Sequence, residues 1–251
     1  MSRPPAHLNA GNAGLFTLDG TRTYLVGGPD RLAVVDPGPE LERHAEAVIS
    51  AARRAAEVVV LLTHGHADHA GAAARVAGAL DAPVLGPSEA GPDRVLRDGE
   101  TISTDEGVLR AVHTPGHTRE HLAYWWVERR ALFAGDHLLG SGDTTWVAEY
   151  PGCVADYLQS LERVRALEPS VIYPAHGPPL EDPGEALARF ESHRRERIRQ
   201  VGEALAREPD LDEDGLLRAV YGRDLPGAVR SAALRSLAAL REHVEGEAAG
   251  R

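Results

Sequence analysis

The chain contains no lysine, a single cysteine and no long apolar run. One cysteine, Cys153, excludes an intrachain disulfide. A lone thiol of this kind reads as a small core residue rather than a nucleophile. The longest strongly apolar stretch, VVVLL at 58–62, falls far short of the roughly 20 residues that a membrane-spanning helix needs. The opening segment, MSRPPAHLNAGNAG, has no apolar core of signal-peptide length, so the cytoplasm is the expected compartment. Positive charge is also scarce: 27 basic residues, all arginine, stand against 38 acidic ones, for a net charge of −11. That balance disfavours sequence-blind coating of nucleic acid, although a local arginine patch remains compatible with RNA. What is present is ordinary for a globular protein: 251 residues, 43% hydrophobic and 26% charged, enough for one large domain or one domain with a small appendage.

Strand signals dominate the first half. RTYLVGGPDRLAVVDPG reads as two strands around a Gly-Gly-Pro-Asp turn, and ELERHAEAVISAARRAA as a helix. VVVLLT is apolar without alternation, as in a strand covered on both faces. HAGAAARVAGAL reads as one alanine-rich helix and APVLGP as a short strand. Two hairpins follow, in DGETISTDEGVLRAVHTPG and HLAYWWVERRALFAGD. VADYLQSLERVRALE has an amphipathic helical pattern, and PSVIYPAHG ends in a last strand and loop. This order implies an α/β sandwich with helices outside two sheets. Beyond Pro183 the pattern turns helical and charged, so residues 1–183 are assigned to a catalytic domain and 184–251 to a small all-α domain with a frayed tail.

Four loops beyond apolar strands concentrate the chemistry. The first is THGHADHAG, with His64, His66, Asp68 and His69; the others hold His117, Asp136 and His176. Five imidazoles and two carboxylates suit zinc or a similar divalent metal, and exceed what one tetrahedral ion needs. They fit two ions about 3.5–4 Å apart, sharing a carboxylate and making hydroxide available at neutral pH. Nothing structural requires three imidazoles within six residues, and unmetallated they would repel one another when protonated. His7, His44, His113, His121, His193 and His243 read instead as solvated or carbonyl-bonded, and His137 as either packing or a contact behind the metal ligands.

The order HxHxDH, His, Asp, His resembles the metallo-β-lactamase superfamily. The stretches GNAGLFTLDGTRTYLVG, HTPGHTREHLAYW, AGDHLLGSGDTTWV, IYPAHGP and ESHRRERIRQ resemble its lactamase-beta-2-like group over nearly the whole chain. The resemblance implies an αββα sandwich followed by a winged-helix domain, although the chain ends at VEGEAAGR with a wing expected to be short or missing. It implies that His64, His66 and His117 hold one ion, that Asp68, His69 and His176 hold a second, and that Asp136 bridges them. His66 replaces the glutamate of the flavo-diiron proteins, and Asp136 the cysteine or serine usual in true β-lactamases. There is no room for the extra domain of the β-CASP nucleases and no inserted arm of the tRNA 3′-processing kind. Glyoxalase II shares every metal ligand, and only the flanking stretches separate it.

The function expected is metal-dependent hydrolysis by a metal-held hydroxide, with two Zn2+, Mn2+ or Fe2+ ions and with Asp68 and Asp136 as the catalytic carboxylates. Thr144, Thr145 and Trp146, in the loop after Asp136, either line the substrate groove or form a packed glycine-rich turn; Tyr173 is a groove or a strand residue. A small-molecule ester, thioester or lactone is the favoured substrate. Single-stranded RNA is the alternative, because one member of the lactamase-beta-2-like group is a metal-dependent endoribonuclease. Arg194, Arg195, Arg197 and Arg199 would then meet phosphates, unless they pair with Glu191, Glu196 and Glu203 on a solvated helix face. A purely structural zinc needs four closed ligands and no bridging carboxylate, which argues against a non-enzymatic binding module.

Overall fold

The computed structural model describes residues 4–222, 225 and 227–249. Among the described residues, eleven strands form two sheets. The first runs in sequence order through β1 (Ala6–Asn9), β2 (Arg22–Gly27), β3 (Arg31–Val35), β4 (Glu57–Leu61), β5 (Val84–Gly86) and β6 (Arg94–Val95). The second has the spatial order β11 (Val171–Pro174), β10 (Ala131–Gly135), β9 (Leu122–Trp126), β8 (Gly107–His113) and β7 (Thr101–Thr104). The described residues also form seven α-helices: α1 (Glu42–Ala52), α2 (Ala67–Ala70), α3 (Ala73–Leu80), α4 (Cys153–Ala166), α5 (Pro183–Arg207), α6 (Glu213–Tyr221) and α7 (Gly227–Ala249). None of the described helices is long and apolar enough to cross a membrane.

The layers follow from the two-residue period of the strands. Ala33 and Val35 of β3 face the second sheet, where they join Leu109, Tyr124, Trp126 and Phe133. Leu32 and Val34 of the same strand face outward and pack with Val48 of α1 and Val76 of α3. The outer face of the second sheet, Val112, Trp125, Leu132 and Ile172, is covered by Tyr157 and Leu161 of α4 and Phe190 of α5. The result is the expected αββα sandwich with a helical C-terminal region. β4 lies between two parallel neighbours and under helices, which explains its unbroken apolar run.

The alanine-rich segment after β4 is two helices, not one. A Cβ at Gly71 would lie 2.4 Å from the Ala67 carbonyl and 2.8 Å from the Glu40 backbone nitrogen, so the chain turns where it meets the Pro39–Glu40 loop. The short edge strands β1 and β6 were not foreseen either. α5 starts at Pro183, capped by the Asp182 carboxylate, which accepts the Glu185 N–H at 2.9 Å. Leu216 of α6 and Leu237 and Leu240 of α7 belong to the same apolar cluster as the sheet face beneath α4. Among the described residues no strand follows β11, and α7 stays helical to Ala249, past the expected start of fraying.

Candidate metal centre

All four ligand-bearing loops leave C-terminal strand ends. His64, His66, Asp68 and His69 follow β4, and His117, Asp136 and His176 follow β8, β10 and β11. The fold gathers them into two groups, His64 with His66 and His117, and Asp68 with His69, Asp136 and His176. Within each group the candidate ligand atoms lie within 4.8 Å of one another. Asp136 faces both groups: its Oδ1 is 3.4 Å from His69 Nε2 and 3.1 Å from His176 Nε2, while its Oδ2 is 3.7 Å from His117 Nε2.

The outward nitrogens are already committed. His69 Nδ1 donates to Asp36 Oδ2 at 2.9 Å. The Thr63 hydroxyl donates to the same oxygen at 2.7 Å, and so accepts from His64 Nδ1 at 3.0 Å. His117 Nδ1 donates to the Trp146 carbonyl at 2.9 Å, and His176 Nδ1 reaches the Gly20 carbonyl at 3.4 Å. His66 is reversed, with Nε2 donating to Glu149 Oε1 at 3.0 Å. These partners fix which nitrogen faces outward, and in each neutral imidazole they leave the inward nitrogen as a lone pair. His117 Nε2 then sits 3.2 Å from His64 Nε2 and 3.1 Å from His66 Nδ1. Three lone pairs converging at that distance repel unless a cation lies among them. In the second group His69 Nε2, His176 Nε2 and Asp136 Oδ1 are buried without hydrogen-bond partners. A divalent ion in each group satisfies every one of these atoms, so the residues fit the metals that the donor set implies.

Asp36 was read from sequence only as the residue that stops a strand. It sits at φ +49° at the end of β3, and its Oδ1 also accepts the Thr63 N–H at 2.8 Å. One carboxylate therefore orients a ligand in each group. Gly135, just before Asp136, has φ +51°; a Cβ there would lie 2.7 Å from both His121 Nε2 and Thr63 Oγ1.

The remaining candidates divide. Thr145 is buried; its hydroxyl donates to the Asp136 carbonyl at 2.7 Å, so it braces the loop rather than lining a groove. Trp146 is half-buried and Thr144 exposed. Tyr173 lies in the core between the sheets, its ring 5.5 Å from Phe133 and 5.7 Å from Tyr24; strand packing, not substrate contact, is its place. His113 bonds the Arg119 carbonyl, but His44 and His121 are buried and bonded to Thr23 and Thr114 hydroxyls. His137 is packed against Tyr157, with neither ring nitrogen partnered.

The sequence matches the Metallo-beta-lactamase superfamily over residues 16–93 and 85–176. The chain belongs to that superfamily. It is 32% identical to the Beta-lactamase-like protein 2 homolog of Caenorhabditis elegans, over 90% of this chain and 79% of that protein. It is 33% identical to the Atrochrysone carboxyl ACP thioesterase AgnL7 of Paecilomyces divaricatus, over 89% of this chain and 73% of that protein. A crystal structure of a metallo-beta-lactamase family protein from Thermus thermophilus superposes with a TM-score of 0.78 at 21% identity, covering 97% of this chain and 93% of that one. This likeness extends the shared fold through the C-terminal helices.

Electrostatics separates the two groups of this superfamily site. Burial drives the His64 and His117 imidazoles below their ordinary pKa, so these two are neutral and ready to ligate, whereas the hydrogen bond to Glu149 raises His66. In the second group burial opposes charge, but the Asp136 and Asp36 carboxylates together outweigh it and raise His69, and Asp136 with Asp68 raises His176 to about 9. Asp136 in turn is held far below the usual carboxylate range by these imidazoles despite its burial. Without metal, protons hold the place of positive charge in the second group, and a cation binding there must displace them.

Proposed function

We propose that the protein is a dinuclear metal-dependent hydrolase acting on a small-molecule thioester, ester or lactone. The observation that carries this reading is the pair of convergent donor groups joined by Asp136. Two divalent ions bound there supply a nucleophile at neutral pH and offset charge on the substrate oxygen in the transition state. His64, His66 and His117 would hold the first ion, Asp68, His69 and His176 the second, and Asp136 both. Of the two carboxylates Asp68 is the more exposed, with 28% of its side chain accessible against 11% for Asp136. It is placed to orient the attacking water and to pass a proton to the leaving group. Attack of the water on a thioester carbonyl, with its proton taken up by Asp68, then breaks the C–S bond, and the sulfur leaves as a thiol carrying that proton.

The thioesterase names of several relatives support a thioester among the three substrate chemistries. The arginines that would meet RNA phosphates are engaged within the protein. Arg195 and Arg199 pair with Glu191, Glu196 and Glu203, Arg197 stacks on Tyr221, and Arg194 is buried. The test is a panel of acyl thioesters, aryl esters and lactones, with fluorescent single-stranded RNA alongside, given to zinc-, manganese- and iron-loaded protein and to Asp136→Ala. Hydrolysis of a panel member that falls at least about a hundredfold in the variant supports the proposal. RNA cleavage with no turnover of the panel overturns it.

A further inference from the structure

Four of the five candidate histidine ligands are buried, and their rings are fixed by the chain around them. His64, His69 and His176 have no accessible surface and His117 has 3%. His66 is different. It leaves 35% of its side chain accessible, turns Nδ1 rather than Nε2 inward, and has one outer partner, Glu149, 83 residues further along the chain. We propose that Glu149 is a positioning residue for the first metal ion, fixing the His66 ring so that Nδ1 points at the ion, and that it ties this ion to the C-terminal helices. The proposal rests on the dinuclear reading of the centre given above.

The Glu149 oxygen that accepts from His66 Nε2 also accepts the Trp146 indole N–H at 3.2 Å. The Trp146 backbone carbonyl accepts from His117 Nδ1 at 2.9 Å. Residues 146–149 thus hold two of the three ligands of the first group and none of the second. A carboxylate behind a ligating imidazole fixes ring orientation and raises ligand basicity, and this matters most where burial does not already fix the ring.

The loop itself is gripped from outside. The Arg235 guanidinium of α7 lies 4.6 Å from the centre of the Trp146 ring. Arg194 of α5 donates to the Thr145 carbonyl at 3.1 Å, and Thr145 donates to the Asp136 carbonyl. The C-terminal helices therefore reach the first ion through Trp146 and Glu149. None of this is legible in HGHADH, because the partner of its middle histidine comes from a distant loop.

The experiment is metal-binding titration of metal-free protein against a chelator, following cobalt absorption and zinc competition, for the wild type, Glu149→Ala and Glu149→Gln. Expected is a selective effect. One of two Kd values rises about 10–100-fold in Glu149→Ala while the other is unchanged, and Glu149→Gln recovers part of the loss because its amide oxygen still accepts from Nε2–H. Two unchanged Kd values, or two values raised together, overturn the proposal. Should Glu149→Ala fail to fold, Trp146→Phe, which removes the second donor to the same oxygen, must show the selective loss in milder form, and equal affinities there overturn the proposal equally. Wild-type protein that takes up no metal overturns the dinuclear reading itself. Two tight ions without turnover overturn only the hydrolase assignment.

Discussion

At the scale of single residues, the proposed metal centre would depend as much on the groups behind the candidate ligands as on those ligands. Asp36 holds His69 directly and His64 through Thr63. Its positive φ is one that asparagine also tolerates, so Asp36→Asn changes the charge without new backbone strain. This variant is expected to keep the fold but bind metal about 10–100-fold more weakly, as read by chelator competition. Gly135→Ala is a backbone test. A left-handed φ and a Cβ pressed against His121 and Thr63 together cost roughly 2–4 kcal/mol, measurable by urea unfolding. The seven candidate ligands could be singled out from the sequence because three imidazoles in six residues have no cheaper explanation, and the fold brings them together in two groups. Asp36 and Glu149 could not: an acidic residue at a strand end or in a loop is commonplace, and only the folded chain brings it to a histidine.

At the scale of elements, the main strands were readable as short apolar runs bounded by glycine, proline and aspartate turns, and β4 as one covered on both faces. The break between α2 and α3 was not readable. Gly71 is there because another loop passes within contact distance, and that is a tertiary fact. Helix α5 shows the same contrast. Its arginine run looks uniform in sequence, yet Arg195 and Arg199 lie in surface ion pairs, while Arg194 is 2% exposed and braces the loop at Thr145. Arg195→Ala is expected to cost under about 1 kcal/mol. Arg194→Ala removes a buried donor and its packing on Tyr157, and is expected to cost about 1–3 kcal/mol in the same unfolding assay.

At the scale of the whole molecule, stability and metal binding are linked through the protons of the second group. In the metal-free protein His176 is raised from 6.5 to about 9. Its contribution is therefore full below pH 6.5 and is lost as pH rises through about 9. His137, with its pKa lowered to about 3 by burial, contributes above pH 6.5 and loses that contribution as pH falls toward 3. Thermal melts in chelator should thus show Tm falling between pH 6.5 and 9, and saturating metal should abolish that fall by replacing the protons. A Tm flat across this window without metal would contradict the linkage.

The αββα layering of the whole chain was accessible from element order. The winding of the C-terminal helices back onto the loop after Asp136 was not, because it depends on Arg194 and Arg235 meeting residues far away in sequence. The most direct measurement of the central claim is zinc stoichiometry by equilibrium dialysis and elemental analysis, for wild type and Asp136→Ala. The account predicts two ions per chain in the wild type and a loss of one or both in the variant. Fewer than one ion per wild-type chain, or two ions undiminished in the variant, would contradict it.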